Sequence, residues 1–419
     1  MKIDVMTKDK DIKTVVPALR FPEFRDGEGW KIVSLGEVCD VVGGGTPDTK
    51  EDSYWNGDIL WLTPSEVGNR FISDSCRKIT LSGLKNSSAK LLPAGSIVLT
   101  TRATLGEMSI LVTEASTNQG FQSLVPKLGT NKDYIYYLQP IIKEQCLRFS
   151  KGSTFLEVSS TSVKNFKIPF TSNKEQEKVA DCLGSMDDLI SSVADKIETL
   201  KEYKKGLMQQ LFPAEGKTIP AIRFPEFQNA REWKQIKLRD VGEPLMCKRI
   251  LKEQTTNEAV GNIPFYKIGT FGGNPDAYIS KDILEDYKRK YSYPNKGDIL
   301  ISAAGTIGRL VVFDGKPAYF QDSNIVWIGN SETKILNAFL YRVYQTLKWQ
   351  TSDGGIVSRL YNSDLKNMTI ILPENKIEQQ KIADCLLSVD ELISTEIAKL
   401  DQLKAHKKGL MQQLFPKLQ

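Results

Sequence analysis

The sequence predicts an α+β chain. Two mixed α/β domains are separated by two long helices that form an antiparallel coiled coil, and the whole is an internal pseudo-two-fold repeat. Three observations predict this: a long-range repeat at one constant offset, two heptad-patterned segments, and two Gly- and aromatic-rich segments with short apolar runs. Pro17-Ala18-Leu19-Arg20-Phe21-Pro22-Glu23-Phe24 returns as Pro220-Ala221-Ile222-Arg223-Phe224-Pro225-Glu226-Phe227, an offset of 220 − 17 = 203. Trp30-Lys31 returns as Trp233-Lys234, and Ala180-Asp181-Cys182-Leu183 as Ala383-Asp384-Cys385-Leu386. The run from Lys204 to Pro213, Lys-Lys-Gly-Leu-Met-Gln-Gln-Leu-Phe-Pro, returns unchanged from Lys407 to Pro416. One offset at both ends of the unit means two tandem copies, and such repeats decide the architecture before any local pattern does.

Within each copy the first part reads as a globular domain. Apolar runs such as Ile97-Val98-Leu99 and Ile299-Leu300-Ile301 follow Gly-containing turns, the pattern of short strands. The second part reads as a helix. Val179, Leu183, Met186, Ile190, Val193, Ile197, Leu200, Leu207 and Leu211 are spaced as a heptad seam. Ile382, Leu386, Val389, Ile393, Leu400, Leu403, Leu410 and Leu414 repeat it, with Glu396 where the first copy has Val193. No proline interrupts either segment, and Pro213 and Pro416 follow their ends, where the residue before proline resists helical geometry. About 38 residues at 1.5 Å per residue make a helix of roughly 57 Å. The expected division is an N-terminal segment 1–29, a first domain 30–172, a helix 173–213, a connector 214–232, a second domain 233–373 and a second helix 374–419. A pseudo-two-fold relation makes the helices antiparallel and sets one domain at each end.

Composition narrows the function. The chain has 419 residues, 40% hydrophobic and 26% charged, enough for sizeable cores in two to four domains. Net charge is 56 − 51 = +5, which permits nucleic-acid binding without requiring it. No run approaches 18 apolar residues and the first ten residues carry no apolar signal core, so the expectation is a cytoplasmic protein with no membrane association. Six scattered cysteines form no Cys-x-x-Cys pair, as in a reduced protein without a structural zinc site. Cys182 and Cys385 are expected to be buried beside the seam. The single histidine, His406, excludes a Ser-His-Asp, Cys-His or multi-histidine metal site within one chain. It aligns with Tyr203, so a helix-surface ring is expected.

Two short patterns look catalytic. Asn274-Pro275-Asp276-Ala277-Tyr278 is similar to the Asn-Pro-Pro-Tyr motif of adenine methyltransferases but lacks its second proline, and no Gly-rich cofactor loop precedes it. Pro275-Asp276 followed by Asp286-Tyr287-Lys288 satisfies a loose nuclease pattern that a chain with 51 acidic residues meets by chance. No phosphate-binding Gly-x-x-x-x-Gly-Lys-Ser/Thr loop exists. No catalytic or metal site is therefore expected.

The doubled Arg-Phe-Pro-Glu-Phe opening, a divergent domain, and the doubled Lys-Lys-Gly-Leu-Met-Gln-Gln-Leu-Phe-Pro ending resemble the specificity subunit of type I restriction–modification systems. Gly44-Gly45-Thr46-Pro47 with Ile59-Leu60-Trp61-Leu62-Thr63-Pro64 is similar to the start of that family's target-recognition domains. The resemblance implies a non-catalytic chain whose two domains each read half of a split double-stranded DNA target. It implies that the helices set the gap and dock two modification (methyltransferase) subunits, which methylate adenine from S-adenosylmethionine. It further implies restriction subunits that use ATP and Mg²⁺ to translocate and cleave, with no cofactor held by this chain itself. Half-sites about 10–10.5 bp apart lie on one face of the duplex, which suits two readers on a spacer. A coiled-coil adaptor that binds proteins and no DNA is the alternative.

Comparison of the copies selects candidate DNA contacts. Thr100-Thr101-Arg102-Ala103-Thr104-Leu105-Gly106 aligns with Ser302-Ala303-Ala304-Gly305-Thr306-Ile307-Gly308 at an offset of 302 − 100 = 202. The shared threonine and glycine are expected to hold a turn, and the differing Arg102 to read sequence, since arginine bonds guanine O6 and N7 bidentately. The candidates are Thr101, Arg102, Thr104, Ser302 and Thr306 in these turns. Asn118, Gln119, Gln321 and Asn324 join them at strand-like edges, where Asn and Gln can read adenine. Lys151, Ser153, Thr154, Ser352 and Gly354 lie in Gly-containing loops that can approach phosphate. Lys248 and Arg249 form a basic pair.

Overall fold

A computed structural model describes residues 14–150, 156–349 and 359–416. The chain divides into two compact units. The first comprises residues 1–195 with 398–419, and the second residues 196–397. Each therefore holds one globular domain, the N-terminal part of the helix that follows it, and the C-terminal part of the other long helix.

In the first unit a five-stranded sheet runs in the order Cys39–Gly43, Gln122–Pro126, Ile97–Leu99, Met108–Leu111 and Phe71–Ile72. Trp55–Leu62 is flanked by Arg77–Ile79 and Ala115–Thr117 in a three-stranded sheet, and Trp30–Ser34 by Thr14–Val15 and Lys167–Phe170 in another. In the second unit Pro244–Leu245, Ile325–Ile328, Ile299–Ser302 and Leu310–Val312 form a four-stranded sheet. Tyr278–Ile279, Ile263–Tyr266 and Tyr319–Phe320 form a three-stranded one, and Lys234–Lys237 pairs with Thr369–Leu372. The expected strands at 97–99 and 299–301 are both central and fully buried.

The long helices span Asn173–Leu211 and Lys376–Leu414, 39 residues each. The residues just before them, Ser172 and Asn375, also match at offset 203. The Ser172 hydroxyl accepts from the Glu175 amide at 3.4 Å, and the Asn375 side chain accepts from the Ile377 amide at 2.9 Å. Such side chains satisfy donors that have no partner within the helix.

A clamp fixes each helix start to its domain. Arg20 donates to Glu175 through Nε at 2.7 Å and Nη2 at 2.9 Å, and also to the Gly27 and Glu28 carbonyls. Arg223 donates to Glu378 at 2.6 and 2.8 Å, and to the Ala230 and Arg231 carbonyls. The four charged side chains are 7%, 2%, 8% and 0% exposed. Paired, bidentate and hydrogen-bonded to backbone, these buried charges are compensated in the way burial demands. The neighbouring Gln176 accepts from the Asn131 amide and donates to the Thr171 carbonyl. Gln379 does the same with the Leu336 amide and the Pro373 carbonyl.

Within each unit the two helical segments run antiparallel. In the first, Val179, Ala180 and Leu183 share a core with Leu414 and Phe415, while Asp187, further along, binds Lys407. Tyr137 also donates to Asp187 at 2.7 Å. In the second, Leu211 and Phe212 share a core with Ile382, Ala383 and Leu386, while Asp390 binds Lys204 at 2.6 Å and also Arg342. None of Val179, Leu183, Met186, Ile190, Ile197, Leu200, Ile382, Leu386, Val389, Ile393, Leu400 and Leu403 is exposed. The polar seam position Glu396 receives Lys196 at 2.5 Å. Cys182 and Cys385 are half-buried rather than buried, because they sit beside the seam and not in it. His406 is exposed on the helix surface. Among the described residues no helix is long and apolar enough to cross a membrane.

Candidate nucleic-acid interface

In the first unit Ile97–Leu99 and Met108–Leu111 pair antiparallel, with Leu99 opposite Met108. The turn between them is closed by backbone bonds from the Thr100 amide to the Glu107 carbonyl and from the Gly106 amide to the Thr100 carbonyl, both 2.9 Å. The Thr100 hydroxyl donates to the Thr104 carbonyl and accepts from the Glu107 amide. Ala103 and Gly106 have φ of 59° and 80°. A Cβ on Gly106 would lie 2.7 Å from the Lys143 Cα, so both the dihedral and the space require glycine there.

The second unit builds the same turn. Ile299–Ser302 pairs with Leu310–Val312. The Ser302 amide bonds the Arg309 carbonyl at 2.9 Å, and the Gly308 amide the Ser302 carbonyl at 3.0 Å. The Ser302 hydroxyl donates to the Thr306 carbonyl at 2.6 Å and accepts from the Arg309 amide at 2.8 Å. Gly305 and Gly308 have φ of 63° and 82°. The offset of 202 thus holds bond by bond.

An isolated β-bridge flanks each turn. Arg102 faces Glu157, and Ala304 faces Arg359, again 202 apart. The Arg102 Nη2 donates to Glu157 Oε1 at 2.8 Å, with both side chains more than 40% exposed. Arg359 instead donates to the Ser323 carbonyl at 3.0 Å.

The expected contact residues separate into reachable and unreachable ones. Thr101 and Ser302 are corrections: their side chains are fully buried. The Thr101 hydroxyl donates to the Gly120 carbonyl, and the Ser302 hydroxyl is spent inside its own turn. Both hydroxyls act as latches within the fold. Thr104 and Thr306 are exposed at the turn tips, and Arg102 is half-buried beside them. The turn is held by the residue 100 and 302 hydroxyls and by the glycines, not by the shared threonine side chains. Asn118 is half-buried, and its oxygen accepts from the Gly120 amide at 2.8 Å. Gln119 is exposed and accepts from the Thr46 hydroxyl at 2.5 Å. Gln321 uses its oxygen on the Ile268 amide at 2.8 Å, which leaves its amide donors. Asn324 is half-buried, and its carbonyl accepts from the Ala303 amide. Lys248 and Arg249 are exposed, with the Lys248 ammonium 5.2 Å from the centre of the Tyr291 ring. Lys151, Ser153, Thr154, Ser352 and Gly354 lie outside the described residues.

Two segments of the first unit converge with these through direct bonds. Thr46, in the Gly-Gly-Thr-Pro segment, reaches Gln119, and Thr104 donates to the Pro64 carbonyl at 3.4 Å. Arg359 and Glu157 were missed at the sequence level. Continuing the offset-202 alignment past the masking effect of divergence would have paired them, but no local motif marks either.

The residues of the catalytic-looking patterns are engaged elsewhere. Asp276 pairs with Lys267 at 2.8 Å, and Asp286 with Arg289 and Lys290 on its own helix. Among the described residues no three His, Cys, Asp or Glu side chains gather as a metal site. Burial pushes the thiols of Cys39, Cys146 and Cys247 up to about 12, which keeps them protonated and poor nucleophiles.

Comparison with known proteins agrees with the doubled architecture. The model of the type I restriction modification DNA specificity domain matches twice, over residues 27–202 and 230–405. The type I restriction enzyme MjaIX specificity subunit of Methanocaldococcus jannaschii is 30% identical over 379 residues, covering 84% of each chain. A type I specificity-subunit homologue from Haemophilus influenzae is 57% identical over 162 residues, which are 39% of this chain and 41% of that protein. The crystal structure of a type I restriction–modification S subunit from M. genitalium has the same fold, with a TM-score of 0.60 at 16% identity over 97% of this chain and 100% of that one. A second structure, from work on assembly and conformational transition of a type I system, gives a TM-score of 0.55 at 21% identity over 92% of this chain and 97% of that one. The chain belongs to the type I restriction–modification DNA specificity family.

Proposed function

We propose that this chain reads a bipartite double-stranded DNA target and directs adenine methylation and restriction by partner subunits of a type I complex. Each domain reads one half-site. The matched helices offer equivalent docking surfaces to two modification subunits, and restriction subunits join through the complex. S-adenosylmethionine, ATP and Mg²⁺ belong to those partners, and this chain is non-catalytic. One observation carries the reading: the two turns agree bond by bond in backbone while their flanking bridges carry different charged side chains. A shared frame with divergent tips is what two readers of unlike half-sites require.

The test is a genome-wide adenine-methylation map of cells with and without this chain. One split motif with a fixed gap is expected to lose methylation. An unchanged map while the partner methyltransferase is expressed would overturn the proposal. At the residue level, Arg102→Ala is expected to relax one half-site by about 1–3 kcal/mol of discrimination. Equal weakening across all sequences would mark a phosphate contact instead.

A further inference from the structure

The bridges beside the two turns hold one guanidinium each, supplied from opposite strands. In the first domain it comes from the turn strand, as Arg102, with a carboxylate across from it. In the second it comes from across, as Arg359, opposite Ala304. We propose that this bridge is the specificity-determining position of both domains, with Arg102 reading guanine in one half-site and Arg359 reading guanine in the other. The inference rests on the DNA-reading function proposed above.

Three physical points support it. The first is that stability does not explain the Arg102–Glu157 pair. Both side chains are more than 40% exposed, and such pairs contribute little. The second is charge. A guanidinium with a carboxylate 2.8 Å away is locally neutral, so it is a poor ligand for phosphate. Its remaining N–H donors beside a carboxylate acceptor instead complement a G·C pair, which offers guanine O6 and N7 as acceptors and cytosine N4 as donor in the major groove. Arg359 is oriented differently, by the Ser323 carbonyl at 3.0 Å, whose neighbours Gln321 and Asn324 are the polar residues of that edge. Ala304 has only a methyl group and brings no carboxylate to Arg359 across the bridge. The third is that the other charge difference between the turns, Glu107 against Arg309, already has hydrogen-bond partners within its own domain, although Arg309 is itself exposed. Glu107 accepts from Lys143 at 2.5 Å and Gln139 at 3.0 Å, and Arg309 donates to the Phe271 carbonyl at 2.8 Å. The bridge is the divergent charged position whose register a backbone pairing fixes in both domains. Glu157 is here a positioning residue that sets the direction of the Arg102 fork.

The experiment uses the complete complex and a library of DNA targets randomised over both half-sites, with methylation of each sequence read out. Arg359→Ala is expected to lower discrimination at a single base position of one half-site by ~5–150-fold and to leave the other half-site unchanged. The double variant Arg102→Ala with Glu157→Arg installs the second domain's arrangement in the first. It is expected to change the preferred base, or its strength, at one position of the other half-site only. Glu157→Gln keeps an acceptor for the guanidinium and is expected to hold the preferred base with weaker discrimination. Equal loss on all sequences, or an unaltered motif in both Arg359→Ala and the double variant, would overturn the inference. If the double variant does not assemble, Arg359→Ala alone decides it. A wild-type complex with no sequence preference would instead sink the parent reading.

Discussion

The clamps that seat the long helices and the bridges beside the turns come from the same duplication, and they have diverged in opposite ways. Arg20–Glu175 and Arg223–Glu378 agree donor by donor, down to the two carbonyls that each guanidinium also binds. Arg102–Glu157 and Ala304–Arg359 keep the backbone register but not the charges: the arginine of one strand becomes alanine and the glutamate across from it becomes arginine. The difference teaches where each copy is constrained. A buried guanidinium and carboxylate must match one another, because either alone would be an uncompensated charge. An exposed bridge residue answers to the backbone only through its φ and ψ, so its side chain is free to follow an outside ligand.

The comparison breaks most visibly at the clamps. Glu175→Ala and Glu378→Ala are each expected to cost about 3–5 kcal/mol, since each leaves a buried arginine without its counter-charge. Denaturant unfolding of the two variants should give similar losses, and a large inequality would show that the clamps are not equivalent. The glycines of the turns come next. Gly106→Ala and Gly308→Ala combine positive φ with a Cβ placed 2.7 Å from the Lys143 Cα and 2.2 Å from the Trp349 ring, respectively. A cost of roughly 1–3 kcal/mol is expected in each, read as a lowered unfolding midpoint.

Acidification sharpens the clamp side of the comparison. Burial raises the Glu175 carboxyl, but hydrogen bonds from Arg20 and Thr171 outweigh it, and the net value lies below the ordinary carboxylate range. A carboxyl lowered by folding stabilises fully above its unfolded value, near 4.3, and that contribution disappears as pH falls towards the folded value. The difference in unfolding midpoint between the wild type and Glu175→Gln should therefore be constant near neutrality and shrink below about pH 4. A difference that grows on acidification would contradict the assignment.

The smallest effect separates the turns themselves. Ala103 and Gly305 occupy one backbone position at φ of 59° and 63°. Ala103→Gly relieves left-handed strain of about 1–2 kcal/mol against an entropy cost of about 0.5–1, so stabilisation of ~0.5 kcal/mol is expected. Gly305→Ala should move the midpoint the other way by a similar or slightly larger amount. Equal signs for the two would mean that the turns are not the same structure.

Much of the architecture was legible because it is periodic. The heptads at Val179, Leu183, Ile382 and Leu386 recur every three and four residues, and the constant offset needs no structural knowledge. The clamps were not legible in that way. Arg20 and Glu175 lie 155 residues apart, and nothing local distinguishes this arginine from 55 other basic residues. The doubled Arg-Phe-Pro-Glu-Phe motif was visible, but its role was not, because its partner sits in the helix. Of the residues that the turn alignment singled out, Thr104 and Thr306 are exposed and Arg102 is half-buried. The alignment misjudged Thr101 and Ser302, since a hydroxyl at a strand end reads alike whether it faces a ligand or closes its own turn. Arg359 escaped because it lies 55 residues beyond Ala304 and meets it only through the bridge.

The placement of Leu414 and Phe415 in the core of the first unit bears on how the protein is made. The first domain and its helix start are complete by residue 195, yet their core is closed by residues some 220 positions later. At roughly 5–20 residues per second the ribosome needs about 10–45 seconds to supply them. During that interval Trp30, Tyr134 and Val179 lack the Phe415 ring and the Leu414 side chain that cover them in the finished chain. The second domain has no such wait, because Leu211 and Phe212 precede it on the nascent chain. The first domain is thus the last to mature, and a chain truncated before Leu414 loses the first domain's seal and leaves the second's intact.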